Sequence, residues 1–129
     1  AKLTGNSEIE IWGDGEQTRS FCYISDCIEG IYKLMRSEWH EPINLGQDRM
    51  VTINELAEMI SAIAAYKVQK KHVPGPQGVR GRNSDNTLLR DTLYWEPQVS
   101  LETGLAVTYR WIEEQVYARL GPEAERKVG

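Results

Sequence analysis

Trp12-Gly13-Asp14-Gly15-Glu16-Gln17-Thr18-Arg19-Ser20-Phe21 is the stretch on which the fold of this chain turns. Before it, Ile9 to Trp12 alternate apolar and charged residues, as a half-buried strand does. Asp14-Gly15 is a hairpin-type turn signal, and Thr18 to Ile24 predicts a second strand. Arg19 stands just past the turn. There its guanidinium offers a planar two-pronged donor while neighbouring glycines allow close backbone approach, a combination suited to phosphate. A salt bridge to a nearby carboxylate is the plainer reading of Arg19.

Working outward, the 129 residues fit one domain with a modest core, and 40% apolar content predicts a globular chain. The net charge of -4 argues against a general nucleic-acid binder, so an anion would have to be held by local arginines. Cys22 and Cys27 have no partners at zinc spacing and read as reduced, mostly buried thiols. No long apolar run or signal peptide is present, so a cytoplasmic protein with no membrane contact is expected.

Residues 1–7 read as a frayed end. Ser25 is expected to cap a helix with Asp26 in its first turn, an apolar face of Ile28, Ile31, Leu34 and Met35, and close packing at Gly30. Pro42 to Gly46 reads as a short buried strand. Thr52-Ile53-Asn54-Glu55 is a capping box before a helix with Leu56, Ala57, Ile60, Ile63 and Ala64 on one face. Residues 66–73 read as an edge strand guarded by Lys70 and Lys71. After a Pro/Gly-rich loop, Asp85 caps a short helix carrying Leu88, Leu89 and Leu93, and Ser100 starts a last amphipathic helix with Leu101, Leu105, Ile112, Val116 and Leu120. The expected fold is α+β, about four short strands and four helices, as one unit over residues 1–121 with a frayed tail at 122–129.

A second arginine-bearing stretch, Gly78-Val79-Arg80-Gly81-Arg82-Asn83-Ser84-Asp85, follows some sixty residues after the first. Its glycines deny the arginines a regular element, so the alternatives are a fixed partner or a solvated loop. A diphosphate needs cationic donors from different directions, and two such loops meeting in space would supply them. Elsewhere the sequence has no Gly-x-Gly-x-x-Gly loop, no Walker A loop and no metal-ligand spacing, so neither catalytic nor metal residues are assigned. His40 and His72 are isolated. Tyr66 and Lys70 match Tyr-x-x-x-Lys, but on a strand residues four apart are roughly 13 Å from each other. Tyr23, Tyr94 and Tyr109 are expected in the core or a pocket wall, and Trp111 in packing.

These residues together resemble the carboxy-terminal, substrate-binding part of the extended short-chain dehydrogenases/reductases, the NAD-dependent nucleotide-sugar epimerases and dehydratases. The resemblance runs through Gly13-Asp14-Gly15, Gln17 to Phe21, Asp26, Ile43-Asn44-Leu45-Gly46, Asp85, Trp95-Glu96-Pro97 and Gly104-Leu105. Within that family Pro74-Gly75-Pro76, Gly78 to Asn86, Thr108-Tyr109 and Trp111-Ile112 are similar to the GDP-mannose 3,5-epimerases. The resemblance implies that Gln17, Thr18, Arg19 and Arg82 contact substrate, with both arginines near the GDP diphosphate; Arg80 is added on its chemistry. It also implies that NAD and the acid/base groups belong to a Rossmann core that this chain lacks, so the chain alone would bind no NAD. Hydride removal by NAD, proton exchange beside the transient ketone and hydride return need those groups. The family's Leu-Gly-Trp is Leu93-Tyr94-Trp95 here, so a different turn is expected after that helix. The expected partners are a nucleotide sugar of the GDP-mannose type and the Rossmann domain, with homo-oligomerisation left open. A 4,6-dehydratase, a 4-epimerase or a non-catalytic interaction module remain alternatives.

Overall fold

The computed structural model describes residues 1–76 and 78–121. The expected tail at 122–129 lies outside the described residues. Among the described residues five strands and four α-helices follow in the order β1 (Glu8–Trp12), β2 (Thr18–Arg19), α1 (Ile24–Met35), β3 (Val51–Thr52), α2 (Ile53–Ile63), β4 (Gln69–Val73), β5 (Gly81–Arg82), α3 (Thr87–Leu93) and α4 (Leu101–Leu120). The α+β class expected from the sequence is what forms.

The expected hairpin does not form. β1 pairs in parallel with β4, Glu8 opposite Gln69 through Trp12 opposite Val73. β2 sits in a second sheet between β3, antiparallel, and β5, parallel. The reason lies in the turn itself. Gly13 and Gly15 both take left-handed φ, near 75° and 73°. Asp14 Oδ1 accepts from the Glu16 N–H at 2.9 Å. The first N–H groups of α2 then take the turn's carbonyls, Asn54 to Gly15 O at 3.1 Å and Ile53 to Gln17 O at 3.2 Å. Asn54 Nδ2 adds a bond to Asp14 O at 3.0 Å. A Cβ on Gly15 would lie 2.3 Å from Asn54 Oδ1, so this close approach requires glycine. Carbonyls bound to a helix N-terminus cannot also serve a hairpin ladder.

Helix ends follow the capping signals with two shifts. The Thr52–Glu55 capping box is complete, and Ser100 Oγ accepts from the Thr103 N–H. α1 instead starts one residue before Ser25, with Tyr23 at its N-cap and no side-chain cap. Asp85 Oδ1 accepts from the Thr87 N–H at 3.0 Å, although the N-cap position is Asn86. Asp26 is buried, and its Oδ2 accepts from the Val99 N–H at 2.7 Å, which pins α1 to the loop before α4. Gly30 packs as expected: a Cβ there would meet Leu45 Cδ1 at 2.6 Å and Trp95 at 2.9 Å.

Several other expectations are corrected. Pro42 to Leu45 join neither sheet, so no strand forms there. Residues 1–7 hold a 3-10 turn, Lys2–Thr4, with Leu3 buried. Tyr94 forms the turn after α3. It adopts the left-handed conformation itself (φ 49°, ψ 37°), with its ring 92% exposed rather than in a wall. Trp111 is also exposed.

The core is small. Among the described residues the buried apolar side chains are Leu3, Ile11, Val51, Ala64 and Leu89, of which Leu89 alone is fully buried. The face of α1 expected in the core stands open: Ile28 is 60% exposed, Ile31 48% and Met35 79%, with Ile24 and Tyr32 beside them.

Candidate functional site

The site grows from the parallel pairing of β2 with β5. That register sets Thr18 opposite Gly81 and Arg19 opposite Arg82, fixed by the Thr18 N–H to Arg80 O at 2.8 Å and the Ser20 N–H to Arg82 O at 3.3 Å. Gly81 is required here, because a Cβ would lie 2.8 Å from Thr18 Oγ1. The two arginine-bearing stretches therefore meet.

Their far side is built by residues 44–47. The Ser84 N–H donates to Gln47 O at 3.2 Å, and buried Asn86 donates through Nδ2 to Gly46 O at 2.8 Å. Ser84 Oγ in turn donates to Asn86 Oδ1 at 2.8 Å. These bonds close a cleft of about 380 Å³ lined by Arg19, Arg82 and Ser84 on one side and Asn44 and Gln47 on the other, with Cys22 in the wall. The lining holds two cations, several neutral donors and no carboxylate.

Arg19 is half-buried, and its Nη1 donates to Thr18 O at 2.7 Å. Neither Arg19 nor Arg82 has a carboxylate partner among the described residues, so the plain salt-bridge reading of Arg19 does not hold. Arg80 behaves differently. Its Nη1 is 3.2 Å from Asp14 Oδ2, and it does not line the cleft. The Asp14 carboxyl is held below its ordinary value, first by the Glu16 N–H and then by Arg80. Gln17 and Thr18 do not line the cleft either. Gln17 is buried, with Nε2 donating to Trp12 O at 3.2 Å and Oε1 without a partner among the described residues. Thr18 Oγ1 contacts Met50 Sδ and Arg80 O.

A larger cavity, about 510 Å³, opens between α2, α4 and β1. Its wall is mostly apolar, with Ile9, Ile11, Leu56 and Ile60, and its lysine, Lys2, is already paired with Glu113 at 3.3 Å. Tyr109 lies in that wall and donates to Glu113 Oε1 at 3.1 Å. Burial and Glu113 push its hydroxyl up to about 12, the setting of a packing residue rather than an acid. Lys70, the second half of the Tyr-x-x-x-Lys match, sits on β4 and pairs with Glu58. His72 Nε2 is 3.0 Å from Asn54 Oδ1, and no metal-ligand cluster occurs among the described residues.

Sequence reasoning missed Asn44, Gln47, Asn83, Ser84 and Cys22 as cleft residues. Asn44 was hidden in a run that reads as a buried strand, and Gln47 carries no local signal. Trp12, outside the cleft, is 58% exposed and rests against Gly75, where a Cβ would clash at 2.8 Å.

Comparison with known proteins agrees with this architecture. Residues 1–46 match the NAD dependent epimerase/dehydratase family. A GDP-mannose 3,5-epimerase of Arabidopsis thaliana is 50% identical over 113 residues, covering 88% of this chain and 30% of that protein. The chain belongs to the NAD-dependent epimerase/dehydratase family. Its members among the relatives include UDP-glucuronic acid decarboxylase 6 of A. thaliana, 40% identical over 94% of this chain and 34% of that protein. The crystal structure of a UDP-glucose 4-epimerase from Thermotoga maritima, solved with UDP-glucose, superposes with a TM-score of 0.82 at 33% identity. That match covers 89% of this chain and 37% of the other. The chain thus spans about a third of the length of these family members. No helix among the described residues is long and apolar enough to cross a membrane.

The family implies NAD, and the described residues do not fit it. β1 runs into a glycine turn that leads to a strand, not to a helix N-terminus, and neither sheet is doubly wound. A dinucleotide site needs both features.

Proposed function

We propose that this chain is the substrate-binding portion, residues 1–121, of a nucleotide-sugar epimerase acting on GDP-mannose, and that Arg19 and Arg82 grip the nucleotide diphosphate. The observation that carries this is the register of β2 against β5, which sets two arginines without carboxylate partners side by side on one cleft. Two guanidinium forks approaching from adjacent strands match the two negative charges of a diphosphate. The 50% identity to a GDP-mannose 3,5-epimerase supports the choice of sugar nucleotide. Gln17 and Thr18 serve by holding β2 in place beneath Arg19, and Arg80 by bracing the Asp14 turn.

The hydride and proton steps of epimerisation fall to groups this chain does not supply. The open face of α1, Ile24, Ile28, Ile31, Tyr32 and Met35, is where we place the docking of the NAD-binding Rossmann portion. The same face favours a second reading, a stand-alone interaction module that uses it to pair with another protein. Competition between GDP and UDP, followed by shifts of the Arg19 and Arg82 side-chain resonances, tests the proposal. It expects GDP to displace UDP and to move both side chains. Displacement of GDP by UDP at equal concentration would shift the substrate to a uridine sugar, and silence of both side chains with either nucleotide would favour the interaction module.

A further inference from the structure

Cys22 and Cys27 bracket the first turn of α1, and the Tyr23 carbonyl accepts from the thiol of the first and the main chain of the second. Cys22 Sγ donates to Tyr23 O at 3.7 Å, and the Cys27 N–H donates to the same oxygen at 3.1 Å. The cause is the start of α1. With Tyr23 at the N-cap, Cys22 stands one residue before the cap and Cys27 at the fourth helical position. Those are the two positions whose side chains meet across a helix entrance, ordinarily as an apolar staple. Here both are thiols, both free and both half-buried. Cys22 also forms part of the wall of the cleft that holds Arg19 and Arg82.

We propose that Cys22 and Cys27 are a thiol–disulfide exchange site that takes a small-molecule disulfide as its oxidant, and that the bond between them repositions the Phe21–Tyr23 segment at the cleft. In the first step the Cys27 thiolate attacks one sulfur of the small disulfide, and a mixed disulfide forms as one thiolate leaves. In the second step the Cys22 thiolate attacks the Cys27 sulfur of that mixed disulfide, closing the Cys22–Cys27 bond and expelling the second small thiolate. Two protein thiols lose two electrons, the oxidant gains them, and the two protons end on the released small thiols. Burial, with Cys27 and Asp26 adding, pushes the Cys22 thiol up, so less of it is thiolate and it takes the second, intramolecular step rather than the first. The consequence reaches the arginines because Ser20, two residues from Cys22, holds β2 to β5 through a single long bond to Arg82 O, 3.3 Å.

The test treats the chain with oxidised glutathione and reads intact mass together with amide exchange at Ser20. The expected product is lighter by the two hydrogens lost, reverts with dithiothreitol, and exchanges its Ser20 amide roughly threefold faster or more. Cys22→Ser and Cys27→Ser each prevent that product. Cys27→Ser leaves the chain unmodified, while Cys22→Ser halts at the stable mixed disulfide. A wild-type chain that stops at a mixed disulfide, or is not modified, overturns the exchange site. Closure of the bond with unchanged exchange at Ser20 overturns its link to the cleft. Neither readout involves a nucleotide, so failure of the proposed substrate would leave both intact.

Discussion

Arg80 and Arg82 stand two residues apart and do different work, because β5 begins between them. Arg82 is in register with Arg19 and faces the cleft, while Arg80 reaches back to Asp14. An Arg80→Ala variant is therefore expected to bind GDP with an affinity within about threefold of wild type, the scale of an exposed ion pair. A tenfold loss measured by calorimetry would put Arg80 in the grip. Tyr94 offers a second residue-scale prediction. It holds a left-handed backbone with its ring in solvent, so Tyr94→Gly removes strain and loses no packing. The variant is expected to gain about 1 kcal/mol in urea unfolding, since the left-handed region costs a side chain roughly that much. No gain, or a loss, would show that the ring contributes contacts. Two arginine-bearing stretches are visible in one dimension, and the resemblance to the epimerases is what set Arg82 beside Arg19. Gln47 and Asn44 were invisible there, since they enter the cleft only through the bonds of Ser84 and Asn86 to the 46–47 backbone.

At the scale of elements, helix starts were readable and strand partners were not. The Thr52–Glu55 box and the Ser100 cap are local chemistry, written within four residues. The partner of β1 is sixty residues away, and a glycine turn that looks like a hairpin is instead clamped by Asn54. Carboxylates at these local motifs give the fold its acid sensitivity. Asp14, Glu55, Asp85 and Glu102 are all held below their ordinary values of 3.8 or 4.5, in each case first by backbone N–H groups. A depressed carboxylate stabilises the fold fully above its unfolded value and loses that contribution as pH falls through the lower folded value. The melting temperature is expected to be flat from pH 7 to about 5 and to fall below about 4, with Glu55→Gln flattening part of that fall. An acid limb identical in wild type and Glu55→Gln would remove the capping box from this account.

For the whole molecule, the decisive feature is how little is buried. Five buried apolar side chains among the described residues and an open stripe along α1 describe a unit that expects cover. Nothing in the residue pattern warns of this: Ile28, Ile31 and Met35 have the spacing of a core face, and periodicity cannot say what covers it. Paired lysine substitutions, Ile28→Lys with Met35→Lys, are expected to leave the unfolding free energy within about 0.5 kcal/mol of wild type, as surface changes do. They should also reduce the binding of a hydrophobic dye. A large loss of stability would mean that α1 is packed in solution against something within the chain.

The central claim is that Arg19 and Arg82 form one diphosphate grip. Calorimetric titration of GDP into wild type, Arg19→Ala and Arg82→Ala tests it most directly. Each substitution is predicted to weaken binding by roughly 1.5–3 kcal/mol, the range for hydrogen bonds to charged groups. Unchanged affinity in both variants would contradict it.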